Sequence, residues 1–311
     1  MDIPTINEIL AFIEAPYSVT EPIIESGQRK VYFANRTDTG ERVILKICPL
    51  HPIMVARIKR EIRILREIDS KYFPKFFYEF FVTDEELRNF LDSFDPKAQT
   101  ARIDELLKLK LRPFLVTAEE FIDHVPWEKC WQELKSKAAL VKFLIHIFSG
   151  LKLLWDKKIV HRDLKPANIL VRPSLEPVII DLGIAKSMSD GATIITNPAF
   201  SSPCTPQFAA PEQLTNNKAE VTYKSDQFAV GVISYSVLTG KWPYGSIEEI
   251  GMEGVIQNFF SGKLEPITSI DAKTDRDLNF VVEKLLRIFP YQRFRSVDEI
   301  LSALYVIKEK S

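Results

Sequence analysis

The sequence predicts an α+β chain of two lobes, a small one built on an antiparallel sheet with one main helix and a larger, mainly helical one. Three observations carry that prediction. Residues 21–47 alternate β-branched and aromatic runs with turn residues, as successive strands do. Residues 53–68 then repeat apolar side chains at helical spacing, and from Lys137 helical patterns dominate to the end. The length, 311 residues with 46% hydrophobic and 27% charged, gives room for two cores at about 100–200 residues per domain. The expected divisions are a helical extension over 1–20, a small lobe over 21–122 that contains an insertion at 83–113, and a large lobe over 123–311.

The elements follow in order. Thr5-Ile6-Asn7-Glu8 has the spacing of a capping box, and Ile6, Ile9, Leu10 and Ile13 then share one face, predicting a short amphipathic helix before Pro16. Strands are read around Pro22-Ile23-Ile24, Val31-Tyr32-Phe33 and Val43-Ile44-Leu45-Lys46-Ile47, punctuated by Ser26-Gly27-Gln28 and Thr37-Asp38-Thr39-Gly40. The helix over 53–68 would bury Val55, Ile58, Ile62 and Leu65. Residues 73–82 are aromatic and strand-like, and 114–121 form the next strand. Between them Leu87, Phe90, Leu91 and Phe94, then Ile103, Leu106, Leu107 and Lys110, suggest two helices in a structured insertion, which either covers the small lobe or meets a regulatory partner.

Composition excludes several functions. Lys plus Arg number 41 against 42 Asp plus Glu, a formal charge of −1, so the basic field of a nucleic-acid binder is missing. Three scattered cysteines, Cys48, Cys130 and Cys204, support neither a disulfide framework nor a zinc cluster. The longest apolar run, around residues 230–238, is far shorter than the ~20 residues that span a bilayer. Met1-Asp2-Ile3-Pro4 lacks the basic start and apolar stretch of a secretory signal. The expectation is a cytoplasmic protein with no membrane segment.

The chemistry lies in His161-Arg162-Asp163-Leu164-Lys165-Pro166-Ala167-Asn168, which fits H-R-D-L-x-x-x-N at all five of its fixed positions. With it the sequence resembles the eukaryotic-type (Hanks-type) serine/threonine protein kinases from about Glu21 to the carboxyl terminus, which implies their bilobal fold. It also implies a phosphotransferase that uses ATP with Mg²⁺ or Mn²⁺ and acts on Ser or Thr hydroxyls of protein substrates. The reaction needs neutralised phosphates, metal ions and a carboxylate that takes the proton of an in-line hydroxyl.

By the same resemblance Asp163 is that carboxylate, Lys165 contacts the transferring phosphate, and Asn168 and Asp181 of Asp181-Leu182-Gly183 are metal ligands. Lys46 would place its ammonium on the α and β phosphates, held by Glu61, with Glu67 the alternative partner. Ala210-Pro211-Glu212 resembles A-P-E and closes the activation segment, Thr205 is the threonine that touches the catalytic aspartate and lysine, Asp226 anchors the loop backbone, and Arg293 pairs with Glu212. Arg162 is the residue that docks a phosphorylated activation segment, with Thr193, Thr196, Ser201 and Ser202 as candidate autophosphorylation sites and Lys186 sharing the charge. Ala167 and Ser236 stand where arginine-directed members carry glutamates, so a preference for upstream arginine is not expected.

Departures from the pattern cluster around the nucleotide. The phosphate loop, Ile24-Glu25-Ser26-Gly27-Gln28-Arg29-Lys30-Val31, has none of the family's three glycines in register, though Gly27 can still supply a positive φ and Arg29 or Lys30 can add charge. Ile44 replaces the alanine against which adenine stacks, and Leu182 replaces the phenylalanine of D-F-G. Ile24, Gly27, Val31 and Ile44 are the nucleotide-facing candidates, with Glu120 and Ile122 offering backbone groups to the base; Glu119 then takes the gatekeeper position, where an ionisable residue is unusual. The odd loop speaks for a pseudokinase, an ATP-binding scaffold with little turnover. The retained Lys46, Glu61, Asp163, Asn168 and Asp181 speak against it.

Overall fold

A computed structural model describes residues 2–25, 29–95, 97, 99–182, 186–187, 205–215 and 220–310. It separates into two compact units, Met1–Asp69 with Pro74–Phe121, and Ser70–Phe73 with Ile122–Ser311. The excursion of Ser70–Phe73 into the second unit has a local cause, since the Ile179 amide donates to the Tyr72 carbonyl at 2.8 Å.

The first unit comprises α1 (Ile3–Phe12), β1 (Tyr17–Glu25), β2 (Lys30–Arg36), β3 (Arg42–Pro49), α2 (Pro52–Glu67), β4 (Phe76–Val82), α3 (Asp84–Asp92), α4 (Thr100–Lys108) and β5 (Phe114–Glu120). Its five strands pair antiparallel in the order β1-β2-β3-β5-β4. Strand side chains alternate between faces, so β3 sorts its residues in two. Val43, Leu45 and Ile47 point into a core shared with Tyr32, Ala34, Val116 and Ala118, which α1, α3 and α4 cover with Ile6, Ile9, Leu10, Leu87, Phe90 and Leu106. The intervening Ile44, Lys46 and Cys48 lie on the other face, where Ile58 and Ile62 of α2 pack with Cys48 and Leu115.

Three sequence expectations change here. The helix at the amino terminus is capped by Asp2, whose Oδ1 accepts from the Thr5 amide at 2.9 Å, and not by Thr5. Pro at the first turn starts the helix at Ile3, so Thr5 lies inside it, buried, with its hydroxyl taking a hydrogen bond from Arg102 Nη2 at 2.9 Å. The first strand begins at Tyr17 and not near residue 21, because Tyr17 and Val19 are buried and Asn7 of α1 exchanges two hydrogen bonds with the Val19 backbone. The described residues 2–20 therefore belong to the first unit, with Ile6, Ile9, Leu10, Tyr17 and Val19 in its core, and do not form a separate extension. Pro22 is tolerated because β1 is an edge strand, and irregularities in register flank it.

The insertion holds two helices, and its buried Leu87, Phe90 and Leu106 cover the unit's own sheet. Arg102 of α4 also reaches Glu8 of α1 at 2.7 Å. Leu107, placed on the apolar stripe from sequence, is 57% exposed, and Lys110 lies beyond the helix at φ +45°.

The second unit contains α5 (Trp127–Leu134), α6 (Lys137–Asp156), the short strands β6 (Ile159–Val160), β7 (Ile169–Val171), β8 (Pro177–Ile179) and β9 (Lys186–Ser187), α7 (Pro211–Leu214), α8 (Tyr223–Thr239), α9 (Ile247–Ser261), α10 (Ile267–Ile270), α11 (Arg276–Leu285) and α12 (Val297–Glu309). Helix thus begins before Lys137, at Trp127 behind Pro126, an opening that fits Pro next to a helix start. Among the described residues the longest apolar helix is α6, not the run at 230–238. By length and composition α6 could cross a membrane, but ten of its twenty residues, from Leu140 to Leu154, are buried within this unit.

Candidate active site

Two groups of chemistry-bearing residues stand in the structure, one in each unit. In the first, β3 carries Lys46 opposite Val31 of β2 and Thr117 of β5, with Ile44 two residues along on the same face. The helix α2 presents Glu61 to that face because Ile58, Ile62 and Leu65, the stripe one turn on either side, are buried. Lys46 Nζ lies 3.4 Å from Glu61 Oε1; Glu67 falls on the exposed end of the helix.

Two further charges join the pair. Glu119 of β5, set opposite Ile44 by the sheet register, brings Oε2 to 2.6 Å from Lys46 Nζ, and Arg29 Nη2 takes Glu61 Oε2 at 2.9 Å. Glu61 and Glu119 are 2% and 5% exposed, so these charges survive only as a compensated set. Burial pushes the Glu61 carboxyl up, yet the Lys46 and Arg29 cations outweigh it and bring the pKa down to about 2. At Glu119 burial wins over Lys46, aided by repulsion from Glu61, and the pKa is raised. Burial works against the Lys46 ammonium, but Glu119 and Glu61 together hold its pKa above the ordinary value.

The second group is built on the turn between β6 and β7. Asp226, buried at the start of α8, accepts from the amides of His161 and Arg162 at 2.9 and 2.8 Å and from Trp155 Nε1 at 3.0 Å, which fixes the backbone on which Asp163 stands. Burial raises the Asp226 pKa despite the His161 neighbour and these donors. Arg162 stands at φ +76°, and its carbonyl accepts a hydrogen bond from Gln213 Nε2 at 2.9 Å.

The Asp163 carboxylate has three donors: the Thr205 amide at 2.7 Å on Oδ1, and Asn168 Nδ2 at 3.2 Å and Lys165 Nζ at 3.1 Å on Oδ2. Lys165 also donates to Thr205 Oγ1 at 2.7 Å, and Asn168 Nδ2 to the Asp163 carbonyl at 2.8 Å. Both amide-nitrogen bonds of Asn168 therefore go to Asp163, which fixes the side-chain amide against the catalytic-loop carboxylate. Asp181 follows β8 at φ +61°, and the preceding Ile180 amide donates to the Asn168 carbonyl at 2.9 Å, so the two metal-ligand candidates are joined through the backbone.

Glu212 and Arg293 form a buried bidentate pair at 2.7 and 2.9 Å, with Ser225 Oγ donating to Glu212 at 2.8 Å and Arg293 reaching three carbonyls besides. The nucleotide-facing candidates are less completely placed. Ile24 pairs with Val31 in the sheet, while Gly27 lies outside the described residues, as do Thr193, Thr196, Ser201, Ser202 and Cys204. The Glu120 amide is spent on the Lys75 carbonyl at 2.8 Å, and the Ile122 carbonyl faces His124 Nδ1 at 2.9 Å.

Sequence reasoning missed two residues. The sequence marks Glu119 as an unusual position but not as a partner of Lys46, since their contact depends on the pairing of strands far apart in the chain. Trp127 was not seen at all. Its indole N–H lies 2.5 Å from the Pro166 carbonyl and 3.0 Å from that of Ile169, bracketing Asn168.

The Ser/Thr kinase Pkn1 of Myxococcus xanthus is 27% identical over 291 residues, 90% of this chain and 36% of that protein. The probable serine/threonine-protein kinase PknB of Lactococcus lactis is 28% identical over 162 residues, 52% of this chain and 25% of that one. The carbon catabolite-derepressing protein kinase of Saccharomyces cerevisiae is 27% identical over 232 residues, 73% and 31% of the two chains. The chain thus spans about a quarter to a third of the length of these relatives. The protein kinase domain family matches residues 19–306, a stretch that takes in both groups of residues, and the chain belongs to that family.

Proposed function

We propose that the chain is an ATP-dependent protein kinase that transfers the γ-phosphate to serine and threonine hydroxyls of proteins. The observation that carries this reading is the setting of Asp163. Its carboxylate is oriented by Asn168, Lys165 and the Thr205 amide, on a loop pinned by buried Asp226. A carboxylate so held is preorganised to accept the proton of an incoming hydroxyl, and Lys165 sits where it can meet charge developing on the transferred group. Thr205 between them favours a Ser or Thr acceptor, as the family resemblance implies.

Asn168 and Asp181 supply hard oxygen donors suited to Mg²⁺ or Mn²⁺. No group of three or more His, Cys, Asp or Glu is placed to hold an ion among the described residues. The remaining coordination would then come from phosphate and water, as is usual for Mg²⁺. Bound there, the metal would neutralise phosphate charge. Lys46, held by Glu61, would contribute the ammonium in the first unit.

Autophosphorylation at Thr193, Thr196, Ser201 or Ser202, with Arg162 receiving the phosphate, is part of the same proposal. Mass spectrometry after prolonged incubation with ATP should find at least one of them modified. A preparation that phosphorylates other proteins yet leaves all four bare would contradict it.

The second reading, a nucleotide-binding scaffold with little turnover, is favoured by the glycine-poor loop and by the closer approach of Lys46 to Glu119 than to Glu61. One assay separates the two: labelled ATP and Mg²⁺ with a generic protein substrate, beside an Asp163→Asn control. Label on serine or threonine that the control lacks supports the kinase, whereas tight ATP binding without transfer supports the scaffold.

A further inference from the structure

The first unit holds a carboxylate that the proposed reaction does not use. Lys46 Nζ is 2.6 Å from Glu119 and 3.4 Å from Glu61, while Glu61 has Arg29 at 2.9 Å. Among the described residues the nearest anion to Lys46 is therefore Glu119, and the nearest cation to Glu61 is Arg29, so that two positive and two negative side chains sit together. Glu119 cannot simply drift away, because its strand is hydrogen-bonded on both sides, to β3 and to β4, and its side chain is buried.

A phosphate group that seeks the Lys46 ammonium meets a carboxylate already in contact with it and a second within reach. It must displace Glu119 or settle beside two buried negative charges, and either lowers the gain from binding. Without the Glu119 charge, Lys46 would keep only the longer contact to Glu61, and a phosphate at its ammonium would meet one negative charge fewer. Resting on the reading that Lys46 binds ATP phosphates, we propose that Glu119 is an internal competitor for Lys46 that holds down the affinity of this kinase for nucleotide phosphates.

The test compares ATP, ADP and adenosine binding to the wild-type chain and to Glu119→Gln, which keeps the side-chain shape and removes the charge. Glu119→Met serves as a second variant should the amide disturb packing. The expected result is ATP and ADP bound about three- to tenfold more tightly by the variant, adenosine bound equally, and a steeper loss of ATP affinity with added salt. A purely structural ion pair would not produce the adenosine contrast or the salt slope. Unchanged or weakened ATP binding in both folded variants, or an equal gain for adenosine, would overturn the proposal while leaving the ATP reading intact. Failure of wild type and variants alike to bind ATP would overturn both.

Discussion

Charge burial at single residues sets how the first unit responds to acid. Glu61 titrates near 2 when folded against 4.5 for the ordinary carboxyl. A folded-state pKa below the unfolded one means that its stabilisation is fully present above the unfolded value and drains away as pH falls toward the folded one. Glu119, whose folded pKa is raised, works in the opposite sense and favours the fold toward acid. Replacing Glu61 by Gln should therefore flatten the loss of stability between about pH 5 and pH 3, read as the urea midpoint at each pH. An acid limb unchanged by the substitution would contradict the charge set drawn here. At the other buried pair, Arg293 is 1% exposed and its removal strands Glu212. Arg293→Leu should cost about 3–5 kcal/mol, since a buried charge left alone bears its full desolvation penalty, and equilibrium unfolding measures it.

Between elements, the insertion offers a contrast within a single segment. Leu87 and Phe90 of α3 are buried in the core behind the sheet, whereas Leu107 of α4 points to solvent. Leu87→Ala or Phe90→Ala should destabilise the first unit by about 2–5 kcal/mol, and Leu107→Ala by no more than about 0.5 kcal/mol. Equal effects at the three positions would show that the insertion does not serve as a cover for the sheet.

What the sequence disclosed at this scale depended on distance along the chain. The loop from His161 to Asn168 is a linear pattern, and the order of strand then helix led from Lys46 to Glu61. The contact of Glu119 with Lys46 needs β5 to lie beside β3 in one register, with Ile44 opposite Glu119, and nothing local specifies that pairing. Helix α1 was read from its apolar face, but its attachment through Asn7 to Val19 was not, because that bond joins a helix to a strand the alternation had started too late. Trp127 escaped for a similar reason: its partners Pro166 and Ile169 lie well downstream, and α5 is too short for its periodicity to stand out.

At the scale of the whole molecule, each unit supplies its own core and its own part of the chemistry. The first brings cations set among buried carboxylates. The second brings a carboxylate, a lysine and Asn168 on a loop fixed by Asp226, and Asp181 after β8. The family match begins at residue 19, yet the first unit's core extends to α1 before it through Ile6, Ile9 and Leu10. Ile9→Ala should accordingly lower stability by about 2–4 kcal/mol although it lies outside the matched region, and calorimetry or urea unfolding checks this. The central claim, that these residues carry phosphoryl transfer, is tested most directly by measuring label transfer from γ-labelled ATP with Mg²⁺ to a protein substrate by the wild-type chain and by Asp181→Ala, with folding of both verified by thermal melts. Transfer by the wild type and its loss by about a hundredfold or more in a folded Asp181→Ala is the predicted result; equal transfer by the two proteins would contradict the account.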